Sequence, residues 1–247
     1  MSVPPPGRGI RIGLAALVAA AVPSLASALP FWLKLPENVS TYGGQIDGLF
    51  RLILWITGVI FVVVELLLLF FLFRYRHREG RKARYTHGSN RLEVIWTIVP
   101  AIICVVLALL SRRSWAEIKQ NMPKQAMNVE ITAEQFAWNI RYPGPDGKLE
   151  TPDDVVTLNQ LHMPVGRPVI VTLHSKDVIH SFFLPEFRVK QDAVPGLTTR
   201  IWFEATRVGS WEIACAELCG LGHYRMRGLV EVVPAAEWAA RLKEAGQ

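Results

Sequence analysis

The chain contains 247 residues, of which 51% are hydrophobic and only 19% are charged, and its formal net charge is +6. This length accommodates one domain of about 100–150 residues together with membrane segments. The chain has only three cysteines, which excludes a small fold held together by a framework of disulfides.

The first 28 residues (1–28) predict a secretory signal peptide. They contain two early arginines, an apolar run and then the small-residue sequence Ala26-Ser27-Ala28, which is typical of a cleavage site. A retained first membrane helix is the alternative, but the run is short and ends at Pro23, which argues against a spanning segment. Residues 29–48 are then an outer N-terminal segment of the mature protein.

Two longer apolar segments predict a pair of transmembrane helices, at residues 49–73 and 92–111. The run 52–73 carries a single charge, and at about 1.5 Å per residue it makes roughly 33 Å of helix, enough to cross the hydrocarbon core. The second run is shorter and contains Pro100, which neighbouring helices in a complex can accommodate.

The connector between these helices, residues 74–91, sets their orientation. It contains seven lysines and arginines but only one acidic residue, Glu79, so the positive-inside rule places it in the cytoplasm. Its surplus of six positive charges (seven minus one) equals the net charge of the whole chain, which is +6. The basic composition therefore does not indicate a nucleic-acid partner. Residues 112–247 form a domain on the outer, periplasmic side of the inner (plasma) membrane.

Two glutamates of the hairpin call for an explanation. Glu65 lies near the middle of the first helix, where a charge is costly, so it should face protein rather than lipid. This favours a packing or interhelical hydrogen-bonding role over proton conduction. Glu93 lies at the start of the second helix, where a negative charge complements the helix macrodipole.

Beyond the hairpin, short alternating segments separated by turns predict a β-domain. A cluster of glycines and prolines at residues 143–147 is a turn signal. Many short strands favour a β-sandwich or barrel, and residues 234–245 predict a short amphipathic helix at the end of the chain. The predicted strands are 128–132, 135–142, 168–174, 198–203, 210–214 and 229–233.

Four soft metal ligands lie within a short stretch near the C-terminus: Cys215, Cys219, His223 and Met226. Thiolate, imidazole and thioether together favour copper. A single copper would leave one thiolate without a role, whereas two coppers bridged by both sulfurs would need a second histidine. The alternatives are a disulfide, a structural zinc or two packed thiols, although Met226 is a poor zinc ligand.

This stretch, Cys-x-Glu-x-Cys-Gly-x-x-His-x-x-Met, resembles the copper A loop of cytochrome c oxidase subunit II. Residues 175–185 and 190–196 are also similar to that family, and the resemblance extends over about residues 47–234. It implies a membrane-anchored α+β protein, in which a two-helix transmembrane hairpin is followed by a cupredoxin-like Greek-key β-sandwich or barrel.

The resemblance also implies a dinuclear copper A centre and its ligands. In that family the thiolates fall on Cys215 and Cys219, and a backbone carbonyl ligand falls on Glu217. The side chain of Glu217 reaches a magnesium or manganese ion shared with subunit I. The remaining implied copper ligands are His180, His223 and Met226.

Three further positions take their implied roles from the same family. Phe136 occupies the position, usually tryptophan, where electrons enter from cytochrome c, and Trp138 lies two residues on. The match is partial, and both aromatics are equally well explained as the packed face of a strand. Glu93 corresponds to a glutamate at the cytoplasmic mouth of a proton path, which competes with its role at the helix N-terminus.

The implied function is therefore that of an oxidoreductase subunit. Copper A accepts electrons from cytochrome c and passes them to a haem in subunit I, where oxygen is reduced to water with proton translocation. No residue of this chain need act as a catalytic acid, base or nucleophile. The alternatives are the copper A subunit of a nitric oxide reductase and a membrane-anchored copper-binding module without an electron-transfer role.

The outer domain is mildly acidic, although the chain as a whole is basic. Residues 128–247 contain twelve lysines and arginines and fifteen acidic residues, a net charge of −3 (twelve minus fifteen). This composition predicts that a basic cytochrome c is steered to the domain by long-range attraction. The acidic residues expected to contribute are Glu130, Glu134, Asp146, Glu150, Asp153, Asp154 and Asp177.

Overall fold

The computed structural model describes residues 34–82 and 85–245. The predicted signal peptide, residues 1–28, lies outside these residues. The described chain begins with a short extended segment, continues through a helical hairpin and ends in a β-sandwich with one short C-terminal helix.

Two long helices form the hairpin. Helix α1 spans Gly43–Tyr75, and helix α2 spans Asn90–Trp115 and continues into a π-helical turn at Ala116–Gln120. Both are long and apolar enough to cross a membrane. Each helix extends beyond its predicted span at both ends, because the polar residues that flank the apolar runs remain helical outside the hydrocarbon region.

In the described part of the chain, ten strands follow, arranged in two five-stranded sheets. One sheet has the strand order β3-β2-β1-β5-β8 and the other has the order β4-β10-β9-β6-β7. The strands are β1 Met127–Glu134, β2 Ala137–Tyr142, β3 Val155–Leu158, β4 Gln160–Pro164, β5 Val169–Ser175, β6 His180–Leu184, β7 Val189–Ala193, β8 Thr199–Phe203, β9 Gly209–Cys215 and β10 Arg227–Val233. Helix α3, Trp238–Ala245, ends the described chain.

The two sheets enclose one hydrophobic core. Alternate residues of β1, β2 and β5 point inwards and are buried, as the period of two predicts for a sheet with one face in the core. Strand β1 pairs antiparallel with β2 but parallel with β5, and β10 pairs parallel with β4. The predicted fold class, a membrane hairpin followed by a β-sandwich, is confirmed.

Strands β3, β4, β6 and β7 have no counterpart among the predicted strands. Strand β6 is buried at four of its five residues, so it lacks the alternation by which a half-exposed strand is recognised. Strands β3 and β4 are separated only by Asn159, whose φ of 58° turns the chain. At the C-terminus, helix α3 begins at Trp238 rather than at residue 234, because the preceding residues form a turn.

The outer end of α1 is attached to the sandwich by buried contacts. Val39 and Tyr42, just before the helix, belong to the hydrophobic core, and the Tyr42 hydroxyl donates to the carbonyl of Trp202 at 2.8 Å. In the first turns of α1, Asp47 accepts two hydrogen bonds from the guanidinium of Arg188, at 2.7 and 3.1 Å. The hairpin and the sandwich therefore share a packed junction.

Candidate metal centre

The hairpin of β9 and β10 carries the cysteine-rich loop. Cys215 is the last residue of β9, and its backbone N–H donates to the carbonyl of Met226 at 3.3 Å, immediately before β10 begins. This bond closes the base of the loop. Between the two residues, the chain runs through an irregular segment and then a single helical turn, His223–Arg225, which brings His223 back towards the cysteines.

The potential donor atoms of this loop lie close together. The sulfurs of Cys215 and Cys219 are 3.9 Å apart, and the Cys219 sulfur lies 3.6 Å from Nδ1 of His223 and 3.7 Å from the sulfur of Met226. On the other side, the Cys215 sulfur lies 3.2 Å from the carbonyl oxygen of Glu217. Each cysteine therefore has a different set of neighbouring donors.

The second histidine comes from the neighbouring strand. Strand β6 pairs with β9 so that Phe182 is opposite Cys215, and His180 lies at the start of β6 with its side chain fully buried. Its Nδ1 is 4.0 Å from the Cys215 sulfur. His180, Cys215 and Cys219 form a group whose ligand atoms all lie within 4.8 Å of one another.

A carboxylate fixes the orientation of His180. Asp177 Oδ1 lies 2.8 Å from Nε2 of His180, so the imidazole presents Nδ1 to the cysteines. The same carboxylate accepts hydrogen bonds from the backbone N–H groups of Gln135 and Val178. Burial tends to raise the pKa of Asp177, but these hydrogen bonds hold that pKa below its usual range. Such outer partners orient metal-ligating histidines.

This role of Asp177 was missed by the sequence analysis, which assigned the residue to an acidic docking surface. The available signal was its position three residues before His180. That spacing became informative only once the turn before β6 brought the carboxylate back onto the ring.

The two thiols differ in their surroundings. Cys219 is buried and Cys215 is partly exposed. Burial, together with the neighbouring Cys215, raises the pKa of the Cys219 thiol to about 11. A thiol in such a place is protonated at neutral pH unless a cation stabilises the thiolate, and a soft metal ion supplies that stabilisation.

Two family profiles match the chain one after the other. "Cytochrome C oxidase subunit II, transmembrane domain" matches residues 28–113, and "Cytochrome C oxidase subunit II, periplasmic domain" matches residues 145–233. The chain is also 37% identical to the alternative cytochrome c oxidase subunit 2 of Bradyrhizobium diazoefficiens, over 87% of this chain and 84% of that protein. The chain belongs to the cytochrome c oxidase subunit II family.

Other members are similar over most of their length. The cytochrome c oxidase subunit 2 of Cereibacter sphaeroides is 32% identical, over 84% of this chain and 78% of that protein. A crystal structure of the periplasmic domain of subunit II of cytochrome oxidase of Bradyrhizobium japonicum is 33% identical, covers 50% of this chain and 96% of its own, and superposes with a TM-score of 0.44.

Membership of the family establishes the broad role of the chain. It is subunit II of a haem–copper oxidase complex, an oxidoreductase, and its partner is subunit I. The predicted location is confirmed: the chain is anchored in the membrane by its two helices, and its C-terminal domain is periplasmic.

The family implies a copper A centre, and the donor atoms of this chain fit it. The cluster offers two sulfurs and two imidazole nitrogens, with a thioether and a carbonyl oxygen at its two sides. These are the softer ligands that suit copper rather than magnesium or calcium. Three members of the cluster, His180, Cys219 and Met226, are buried, so water has limited access to them.

The remaining predicted positions lie at different distances from this cluster. Trp138 is buried, with its ring 6.2 Å from that of His180, whereas Phe136 is 36% exposed and packs beside Gly222 of the loop. The side chain of Glu217 is exposed. Glu93 lies in the first turn of α2, in the hairpin, and is not part of the cluster.

Two other histidines of the β-domain, His162 and His174, lie outside the cluster. His174 lies on β5 beside Thr198, at 3.5 Å. His162 is buried on β4, with Nδ1 3.0 Å from a carboxylate oxygen of Glu231. Neither histidine belongs to the group of ligand atoms that lie within 4.8 Å of one another, which is formed by His180, Cys215 and Cys219.

Proposed function

We propose that this chain holds a dinuclear copper A centre through which its oxidase receives electrons. One observation supports this most directly: each of the two cysteines has its own imidazole, Nδ1 of His180 for Cys215 and Nδ1 of His223 for Cys219. A mononuclear site would need only one of these pairs. The proposed ligands are His180, Cys215, Glu217 through its carbonyl, Cys219, His223 and Met226.

The side chains of the centre bind and orient rather than react. Asp177 holds the His180 ring in place, and the β9–β10 pairing fixes Cys215 relative to Met226. When bound, the two coppers would supply one-electron transfer, with the electron shared between both metals. Rigid ligands favour such transfer because little bond rearrangement accompanies each step.

Two further roles are carried over from the family. The carbonyl of Glu217 faces the Cys215 sulfur, which leaves its exposed carboxylate free to bind a magnesium or manganese ion at the boundary with subunit I. Glu93, exposed at the cytoplasmic end of α2, is proposed as the mouth of a proton path into subunit I. In the oxidase, electrons from copper A reach a haem in subunit I, where oxygen is reduced to water.

The surface beside the centre supports a mainly apolar docking site for cytochrome c. Much of the acidity expected to steer a basic donor is paired within the chain: Glu134 with Lys176 at 2.7 Å, and Asp154 with Arg141 at 3.3 Å. The tip of the loop is apolar instead, and Leu221 is 97% exposed. We propose that the donor contacts this tip next to Phe136, with Trp138 beneath it, and that acidic residues contribute weaker steering.

Electron paramagnetic resonance of the copper-loaded full chain tests the centre. Two copper nuclei that share one unpaired electron should contribute equally to the hyperfine splitting of the signal. A hyperfine pattern from a single copper would contradict the dinuclear assignment. Cys215→Ser and Cys219→Ser should each convert or abolish the signal, because a hydroxyl does not bridge as a thiolate does. His174→Ala is the matched control and should leave the spectrum unchanged.

Stopped-flow reduction of the complex by a basic cytochrome c tests the docking surface. Exposed charges are screened over about 10 Å at 0.1 M salt, so weak steering should give a second-order rate that falls only modestly as salt is added. A steep fall of the rate with salt would show instead that the acidic residues are the main determinant of cytochrome c docking.

A Phe136→Trp variant tests the electron path. If its rate of reduction equals that of the wild type, Phe136 is not part of that path.

A further inference from the structure

Gln135 contacts both segments that carry the metal ligands. It lies between β1 and β2, and its side-chain amide donates to the carbonyl of Cys219 at 2.5 Å. Its backbone N–H donates to Asp177 at 2.7 Å, and Asp177 in turn holds His180. One residue outside the predicted ligand set therefore connects the cysteine loop with the histidine of β6.

The ring of Phe136 lies against two glycines of the same loop. A Cβ atom at Gly222 would come within 2.6 Å of Cε2 of Phe136, and a Cβ atom at Gly220 would come within 2.6 Å of the Gln135 amide nitrogen. Gly220 also has a φ of +134°, which residues with a side chain rarely adopt. The loop thus fits closely under Gln135 and Phe136.

The two cysteines differ in how much they depend on these contacts. Cys215 belongs to β9, and the β9–β10 ladder holds it in place. Cys219 lies outside the strands, and the contact that fixes its backbone carbonyl is the hydrogen bond from Gln135. A movement of Cys219 would change its distances to His223 and Met226, which are now 3.6 and 3.7 Å.

We propose that Gln135 and Phe136 form a clasp that positions Cys219 and His223 for metal binding, with Gln135 as the principal positioning residue. This inference rests on the proposed copper A centre. Gln135 acts through the Cys219 carbonyl and the Asp177 carboxylate and does not bind metal itself. The clasp holds the part of the centre that the β-ladder does not reach.

Gln135→Glu in the full chain tests the hydrogen bond. The change keeps the size of the side chain, but a carboxylate cannot donate to the Cys219 carbonyl. Loss of an outer partner of this kind costs about 10–100-fold in metal affinity, so the copper dissociation constant, measured by competition with a chelator, should rise by that factor. The copper hyperfine splitting should also change. The control is Gln160→Glu, the same change at an exposed position of β4.

A second measurement does not depend on copper. In the metal-free chain, the rate at which Cys219 is alkylated, followed by mass spectrometry, should rise severalfold in Gln135→Glu and stay at the wild-type value in Gln160→Glu. Equal alkylation rates in wild type and Gln135→Glu would overturn the clasp, whatever the effect of the substitution on copper affinity. A wild-type chain that binds a single copper would overturn the proposed function but leave the alkylation result valid.

The contact of Phe136 is tested by combining two substitutions. Gly222→Ala should raise the copper dissociation constant because the new methyl group displaces the Phe136 ring or the loop. In a Phe136→Ala background the methyl group has room, so the same glycine substitution should have a smaller effect. Equal effects in both backgrounds would show that Phe136 does not press on the loop and would remove it from the clasp.

Discussion

The membrane hairpin and the sandwich bury their apolar residues in different ways. None of the residues of α2 is buried within the described chain, and large apolar side chains along both helices are exposed. In the sandwich, by contrast, the inward-facing residues of the strands are almost fully covered by the opposite sheet. The sandwich therefore makes its own core, whereas the apolar surface of the hairpin suits a membrane environment.

The segment that joins these regions packs as part of the sandwich. The segment before α1 adds to the sandwich: Ser40 forms a β-bridge with Ala205, and its hydroxyl donates to the carbonyl of Phe187 at 2.8 Å. Val39 and Tyr42 are part of the hydrophobic core. A fragment that began at Met127, where β1 starts, would lack these residues, so the sandwich should be most stable in the full chain.

The largest effect is expected from the same substitution made once in each region. Phe203 is fully buried and its ring lies 5.3 Å from that of Phe187, so Phe203→Ala should lower the free energy of unfolding of the sandwich by about 3–5 kcal/mol. Phe61 on α1 is 64% exposed, and Phe61→Ala should leave that free energy almost unchanged. Denaturant titration of the detergent-solubilised chain, followed by tryptophan fluorescence, measures both. Similar losses would mean that the hairpin packs more tightly than its burial indicates.

A smaller effect is expected at the junction itself. The carboxylate of Asp47 and the guanidinium of Arg188 are both more than nine-tenths buried and lie 2.7 Å apart. Asp47→Asn removes the negative charge from this buried ion pair, so it should cost about 3 kcal/mol. Glu212→Gln is the control, because its ion pair with Arg227 has a similar distance, 3.1 Å, but is exposed, and its loss should cost less than about 1 kcal/mol. If the two variants unfold alike, the junction does not hold α1 to the sandwich.

The sequence predicts some parts of this molecule much better than others, for physical reasons. The hairpin could be predicted because membrane spans are defined by local composition, and the cysteine-rich loop could be singled out because four potential metal ligands lie within one short segment. Strand β6 could not be predicted, because burial of four of its five residues removes the alternation. Gln135 could not be linked to the site, because the sandwich has to bring the turn between β1 and β2 against the loop after β9. The contact of Asp177 with His180 is local, but it depends on the turn before β6, which the three-residue spacing alone does not define. The segment before α1 shows no pattern of its own, and its contacts are with residues far along the chain, such as Phe187 and Ala205.

A third prediction concerns a single hydrogen bond of the junction. The hydroxyl of Tyr42 donates to the backbone carbonyl of Trp202 at 2.8 Å, and burial raises its pKa well above the usual range. Tyr42→Phe removes the donor but keeps the ring, which packs edge-on against Trp202 with centroids 5.2 Å apart. The free energy of unfolding should fall by about 1 kcal/mol. A much larger loss would indicate that the ring itself moves, which the fluorescence of Trp202 would report.

The smallest effect is expected from His162, and it should appear only in the pH dependence of stability. His162 is buried on β4. Burial lowers its pKa, although the carboxylate of Glu231, 3.0 Å away, acts in the opposite direction, and Arg241 reinforces the lowering. The folded chain therefore keeps this imidazole neutral at a pH where the unfolded chain, with a pKa near about 6.5, already binds a proton.

This difference fixes the sign of the effect. Above about pH 6.5 both states are neutral at this position, and His162 adds no pH dependence. As the pH falls below that value, the unfolded chain takes up the proton first, so the free energy of unfolding decreases until the lower folded-state pKa is passed. The decrease amounts to about 1.4 kcal/mol for each unit by which the pKa is lowered.

Unfolding titrations between about pH 7.5 and 5 should show this slope in the wild type and a shallower one in His162→Gln, whereas His174→Gln should keep the wild-type slope. A slope of opposite sign, with stability rising as the pH falls, would mean that Glu231 dominates and that the buried imidazole is charged.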